Sequence, residues 1–307
     1  ESRRQRGWSE ARIARHFVVR GAVLLLVQQV LENPAWIIGS VVPYPDAWFF
    51  SPSIPGEPGP LMLVLAVLSA LGAALIIVGL LQKLPGWVLG FAGIGAIVLS
   101  QAMVPGPELA RVPFSPLMRL TFAPGQTGIL LVMYPVIPWL GVALLGAAFG
   151  KALAHDRDRT LRLVQLAGLG LVGLFIALRL LGGFGNTHPW DGNGLMNFLN
   201  MTKYPTSIVF LSFAVGTNLL LIGLFEWITP LVERYGGWLL TFGRTALFFY
   251  ILHIWLYMLL GLPFRHGTGF GVMYLIWAIG LLILLPLCTR YERFKAGKPA
   301  ESVWRLF

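Results

Sequence analysis

The chain has 307 residues, of which 56% are hydrophobic, 13% aromatic and 12% charged, and its mean hydropathy is +0.74. That leaves too little polar surface to cover a domain in water, which excludes an ordinary soluble protein. The formal charge of +10 does not point to nucleic acid, because the basic residues fall in short segments between apolar runs, the pattern that fixes membrane topology.

The expected fold is all-α, a polytopic helical membrane protein with about eight transmembrane helices. Residues 1–307 read as a single transmembrane domain, with a basic cytoplasmic segment (1–16) and a basic cytoplasmic tail (290–307). The chain opens on Glu1 rather than methionine, and its arginine-rich start has no apolar core. It is therefore neither an intact start nor a signal peptide, and further sequence is expected upstream.

Arg3, Arg4, Arg6, Arg12 and Arg15 precede the first apolar run, 17–31, which carries Arg20 near its start and Gln28, Gln29 and Glu32 toward its exit. The Pro/Gly-rich connection 33–60 holds Trp36, Trp48, Asp46 and Glu57 but no Lys or Arg, and reads as an exterior loop. Residues 61–81 and 87–104 form a hairpin of two spans, turned through 82–86. The loop 105–125 returns outside, and 127–150 carries Pro135 and Pro138, expected to kink a helix in mid-membrane beside a cavity.

A mixed-charge turn from Lys151 to Arg162 leads to the span 163–181. The next exterior loop, 182–205, is the most polar, with Asn186, His188, Trp190, Asp191, Asn193, Asn197, Asn200, Lys203 and Tyr204. Spans at 207–228, 242–260 and 270–287 follow. Of the 23 Lys and Arg residues, 16 fall on the proposed cytoplasmic side and four (Arg111, Arg119, Lys203, Arg265) outside, which puts both termini in the cytoplasm. Gly168, Gly170 and Gly173 sit in an apolar span, where close helix packing explains them better than phosphate binding.

Within 242–260, an arginine and a histidine stand in an apolar run, where ionisable residues mark function. Read as one helix, the run separates Arg244 from His253 by roughly 13 Å and half a turn. Tyr250 and Tyr257 share the histidine's face. His253 reads as the site and Arg244 as an anchor or anion contact. A histidine here can equally lock helix packing through one hydrogen bond. Trp48, Trp139 and Trp190 could stack on a sugar face while Asn and Asp bind hydroxyls, although each tryptophan taken singly reads as an interfacial anchor. No metal site is expected: Cys288 is alone, and His16, His155, His188, His253 and His266 lie on different segments.

Four stretches carry a resemblance: Arg20-Gly21 before a leucine-rich run, residues 134–141 (YPVIPWLG), residues 203–207 (KYPTS), and Phe242-Gly243-Arg244 leading through Tyr250 to His253. With these the chain resembles the heparan-alpha-glucosaminide N-acetyltransferase catalytic-domain family, especially its bacterial members. The resemblance implies a membrane acyltransferase that takes an acetyl group from cytoplasmic acetyl-CoA and delivers it to a glycan or amino sugar outside. In that family the histidine associated with acetyl transfer lies in an amino-terminal portion that is not present before Glu1. His253 matches a different, carboxy-terminal histidine.

On this reading His253 is catalytic, a base or hydrogen-bond donor whose ordinary pKa lies near neutrality. Trp139, His188, Trp190, Asp191, Asn200, Lys203, Tyr204 and Tyr250 bind substrate, and Arg20 and Arg244 contact the coenzyme's phosphates. The partners are the lipid bilayer of the inner membrane, the glycan, and a second copy or a larger membrane complex. The alternative is a non-catalytic subunit or scaffold of such a complex. A transporter would need a polar path through both leaflets, and few buried charges support one.

Overall fold

The structure is a computed structural model that describes residues 2–41, 63–104, 106, 114–264, 267–299 and 302–305. Trp48, Arg111, Arg265 and His266 lie outside the described residues. The helices are α1 (Ser2–Gln5), α2 (Glu10–Val27), α3 (Asn33–Val41), α4 (Val67–Leu81), α5 (Gly86–Met103), α6 (Pro116–Thr121), α7 (Val136–His155), α8 (Arg157–Leu181), α9 (Gly194–Leu199), α10 (Ile208–Tyr235), α11 (Gly237–Arg244), α12 (Ala246–Gly261) and α13 (Phe270–Ala296). Among the described residues, seven helical stretches are long and apolar enough to cross a membrane, and α4 is an eighth, shorter apolar helix of 15 residues. The protein is a multi-pass helical membrane protein, as its composition requires.

The chain forms two compact units, one of Glu1–Gln28 and Phe50–Phe225, the other of Gln29–Phe49 and Glu226–Phe307. In the first, helices pack where glycine faces glycine. A Cβ on Gly21 would stand 2.5 Å from the Gly72 carbonyl, bringing α2 against α4. Gly93 and Gly141 do the same for α5 and α7 (2.7 and 2.8 Å), and Gly168 and Gly216 for α8 and α10 (3.1 Å each). With no hydrophobic drive between helices in lipid, such close backbone approach is what holds them. Gly170 and Gly173 meet nothing within 4 Å, so the packing expectation holds for Gly168 alone. Two buried glutamines cap helices at a distance. Gln28 Oε1 accepts from Leu68 N at the start of α4 (3.2 Å), and Gln101 Oε1 accepts from Ile208 N at the start of α10 (2.9 Å).

Four expected spans, 17–31, 61–81, 127–150 and 242–260, differ from what forms. Residues 63–65 and 125–132 build a small sheet, order β1-β3-β2, from β1 (Leu63–Leu65), β2 (Gly125–Thr127) and β3 (Leu130–Val132). β1 pairs parallel with β3, Leu63 opposite Leu130, and β2 pairs antiparallel with it through a turn where Gly128 takes φ +55°. Helix α7 therefore begins only after Pro135, its N-cap, with Pro138 in the first turn. The expected mid-span kink is absent, because a proline in a first turn removes an N–H that has no helical partner anyway.

In the second unit the run 242–260 is likewise not one helix. It breaks at Thr245, whose ψ of 30° ends α11 and whose Oγ1 donates to the Thr241 carbonyl (2.8 Å). Gly243 weakens the helix just ahead of it. Arg244 thus ends α11 and His253 belongs to α12. Finally, α2 runs into α3 through a π-helical turn, Gln28–Glu32. Pro34 lacks an N–H and its ring crowds the carbonyl four residues back, and a widened turn relieves both problems. The Leu31 carbonyl there takes a hydrogen bond from Trp255 Nε1 (2.8 Å).

Candidate functional site

In the second unit, the π turn brings Glu32 against α12. Glu32 is 1% exposed, and its Oε1 accepts from the Tyr250 hydroxyl (2.9 Å) and from Trp36 Nε1 (3.1 Å). One turn along α12, the half-buried His253 ring packs face-on against Phe249 (5.3 Å, 8° between planes) and edge-on to Tyr250 (5.5 Å). Its Nδ1 lies 3.1 Å from the Phe249 carbonyl. A backbone carbonyl only accepts, so Nδ1 carries the hydrogen and Nε2 is the nitrogen able to take a proton. Tyr257 also flanks the ring, edge-on at 6.4 Å, with its hydroxyl donating to the Trp277 carbonyl (2.7 Å). A buried acid, a phenol and an oriented imidazole in a membrane span form a chemically equipped cluster.

Arg244 is engaged elsewhere, ion-paired with Glu292 (3.1 Å) while Thr241 Oγ1 donates to the same carboxylate (3.1 Å). Its side chain is nevertheless 65% exposed, so donor capacity is left for an anion.

In the first unit, Trp139, Lys203 and Tyr204 gather around Tyr134. The Tyr204 hydroxyl donates to that of Tyr134 (2.9 Å), the Trp139 ring lies 4.9 Å from the Tyr134 ring, and Lys203 Nζ sits 4.9 and 5.2 Å from the two tyrosine rings. Burial, then the Tyr134 hydrogen bond, pushes the Tyr204 phenol up to about 12. The Trp139 indole N–H is buried without an acceptor among the described residues. An aromatic box with a cation above it and one unpaired donor is suited to an oxygen-bearing ligand with an apolar face, such as a sugar.

The polar loop is organised by Arg179, which is 1% exposed in the last turn of α8. Nε donates to the Phe198 carbonyl (2.8 Å). Nη1 donates to Asn186 Oδ1 (2.8 Å) and the His188 carbonyl (2.5 Å), and Nη2 to the Asn197 (2.6 Å) and Asn200 (3.2 Å) carbonyls. His188 and Asn200 thus present their backbone carbonyls to Arg179, and both residues are exposed. The Asp191 carboxylate accepts from Asn193 N and Asn197 Nδ2 (2.9 Å each). These bonds, the Asn193 amide first, hold it below the usual carboxylate range. Trp190 packs edge-on to Phe198 (5.3 Å), its indole N–H buried and without an acceptor among the described residues. Arg20 is exposed on α2.

The sequence-predicted residues therefore fall into two sets, Trp139, Lys203 and Tyr204 with the Arg179-ordered loop in one unit, and Tyr250, His253 and Arg244 in the other. Glu32, Tyr134 and Arg179 were not among them. A lone acid or arginine inside an apolar run is the signal that could have found Glu32 and Arg179.

Among known proteins, the family model described as heparan-alpha-glucosaminide N-acetyltransferase, catalytic, matches residues 2–181. No curated protein and no solved structure gives a significant match. The matched stretch includes Glu32, Trp139 and Arg179 and ends before Lys203 and His253.

Proposed function

The chain belongs to the heparan-alpha-glucosaminide N-acetyltransferase catalytic family, and from that premise we propose that this membrane acetyltransferase moves an acetyl group from cytoplasmic acetyl-CoA to an amino sugar or other glycan on the exterior side. His253 acts as base. The acceptor nitrogen or oxygen attacks the thioester carbonyl, its proton passes to Nε2, the carbon–sulfur bond breaks, and the proton returns to the departing thiolate. Glu32 fixes Tyr250, and Tyr250 with Phe249 holds the imidazole plane. The box of Trp139, Tyr134, Tyr204 and Lys203 binds the glycan, together with the loop of His188, Trp190, Asp191 and Asn200. Arg20 and Arg244 take the coenzyme's phosphates. Both termini and the turn 151–162 are cytoplasmic in this reading, and the protein resides in the cell membrane.

The observation that carries the reading is the orientation of His253, with Nδ1 bound to the Phe249 carbonyl and Nε2 left basic. The test is a paired assay of His253→Ala, acetyl transfer to a panel of amino sugars beside thermal stability. Loss of a positioned base cuts turnover about 10²- to 10⁴-fold. Loss of a packing hydrogen bond costs only about 0.6–2 kcal/mol of stability. Unchanged turnover with a lowered melting temperature makes His253 structural. Absence of acetyl transfer by the wild-type protein to every acceptor would favour the second reading, a non-catalytic membrane subunit, which has one observation behind it: the family match stops at residue 181, short of His253.

A further inference from the structure

A cavity of about 600 Å³ opens at one end of the first unit, where the last turns of α4 and α7 meet the first turns of α5 and α8 and the amino-terminal segment. Its volume is in the range of sites that hold small molecules, about 300–1,000 Å³. Arg4, Lys151 and Arg157 stand around it, and no Asp or Glu is among its described lining residues. Arg4 is held by Glu10 and by Gln82, donating to Gln82 Oε1 at 2.9 Å. Asp156, next to Arg157, is turned into its own helix, where it accepts from the Arg159 amide (3.0 Å). The wall behind these cations is hydrocarbon, from Ile13, Phe17, Val78, Leu89 and Ala147.

A cationic rim over an apolar wall selects among phosphates. A soluble nucleotide would meet the cations but find few partners on the wall for its sugar and amide groups, and polar groups buried without partners are costly. An anionic lipid matches both halves, its phosphate among the cations and its first acyl methylenes on the hydrocarbon. The cavity also lies at the helix ends that carry Lys83 and the basic turn 151–162, the level of headgroups in a chain oriented by its positive charge. We propose that this cavity is a binding site for an anionic membrane lipid, with Arg4, Lys151 and Arg157 holding the phosphate and Phe17 and Val78 the start of an acyl chain. The site is independent of the acetyl-transfer reading.

The test is native mass spectrometry of the full chain in neutral detergent, titrated with dioctanoyl phosphatidylglycerol and, separately, dioctanoyl phosphatidylcholine. One phosphatidylglycerol should bind saturably and more tightly than phosphatidylcholine. Lys151→Gln with Arg157→Gln should weaken it about 25-fold, roughly fivefold per cation. Lys83→Gln, exposed at the same helix end, should leave it unchanged. Gly150→Leu keeps all three cations and adds a side chain where a Cβ meets nothing within 4 Å. It should abolish binding while the protein stays monodisperse. Equal affinity for the two lipids, full binding to Gly150→Leu, or displacement by micromolar inorganic phosphate or coenzyme A would each overturn the proposal.

Discussion

Arg179→Ala should release the polar loop 182–205 without dismantling the helices. The side chain is 1% exposed and donates five hydrogen bonds, four of them to backbone carbonyls between residues 188 and 200. Bonds from a charged donor contribute about 1.5–3 kcal/mol each, set against several kcal/mol for desolvating the guanidinium. Each neutral oxygen left without its donor costs about 1–3 kcal/mol. The lower end applies here, because Asn197, Asn200 and His188 are exposed and water can reach their carbonyls once the loop loosens. About 3 kcal/mol raises the open population roughly 100-fold. The loop holds Trp190, Leu195, Phe198 and Leu199, so limited chymotrypsin digestion reads that population when opening is fast. Arg179→Lys keeps the charge but not the fork of donors, and should fall between Ala and wild type. Cleavage of Arg179→Ala at the wild-type rate would refute the account.

Gly93→Ala sets a Cβ 2.7 Å from the Gly141 carbonyl and should destabilise by about 1–3 kcal/mol. Gly170→Ala, with open space around it, should be neutral or stabilising by up to about 1 kcal/mol. Equal melting temperatures for the two would remove the glycine contacts from the account of helix packing. The Tyr204 phenol is raised from its ordinary 10.0 to about 12, so its contribution is fully present below about pH 10 and is lost as pH rises toward 12. A difference titration of tyrosinate absorbance between wild type and Tyr204→Phe should show one step near 12, and a step at 10 would contradict the burial argument. Asp156→Cys in a Cys288→Ser background should resist impermeant thiol reagents applied outside intact cells, and labelling there would reverse the proposed topology.

What the sequence determined by itself was set by local chemistry. Its apolar runs require helices in a bilayer, and a glycine such as Gly168 within one of them marks where two backbones can meet. Hydropathy is blind to hydrogen-bond geometry, so it merged α11 with α12 across Thr245 and read the strand at 130–132 as part of a helix. It was equally blind to partners. The Arg20, Arg244 and Asp191 side chains look alike as isolated charges, yet one is exposed, one pairs with Glu292 and one caps its own loop. Arg179 could be noticed within its span, but not the five acceptors wrapped around it. A wide gap separates Glu32 from Tyr250, 218 residues apart and joined by one hydrogen bond. Only tertiary packing decides such a pair, because a buried acid must find its donors wherever the folded chain happens to supply them.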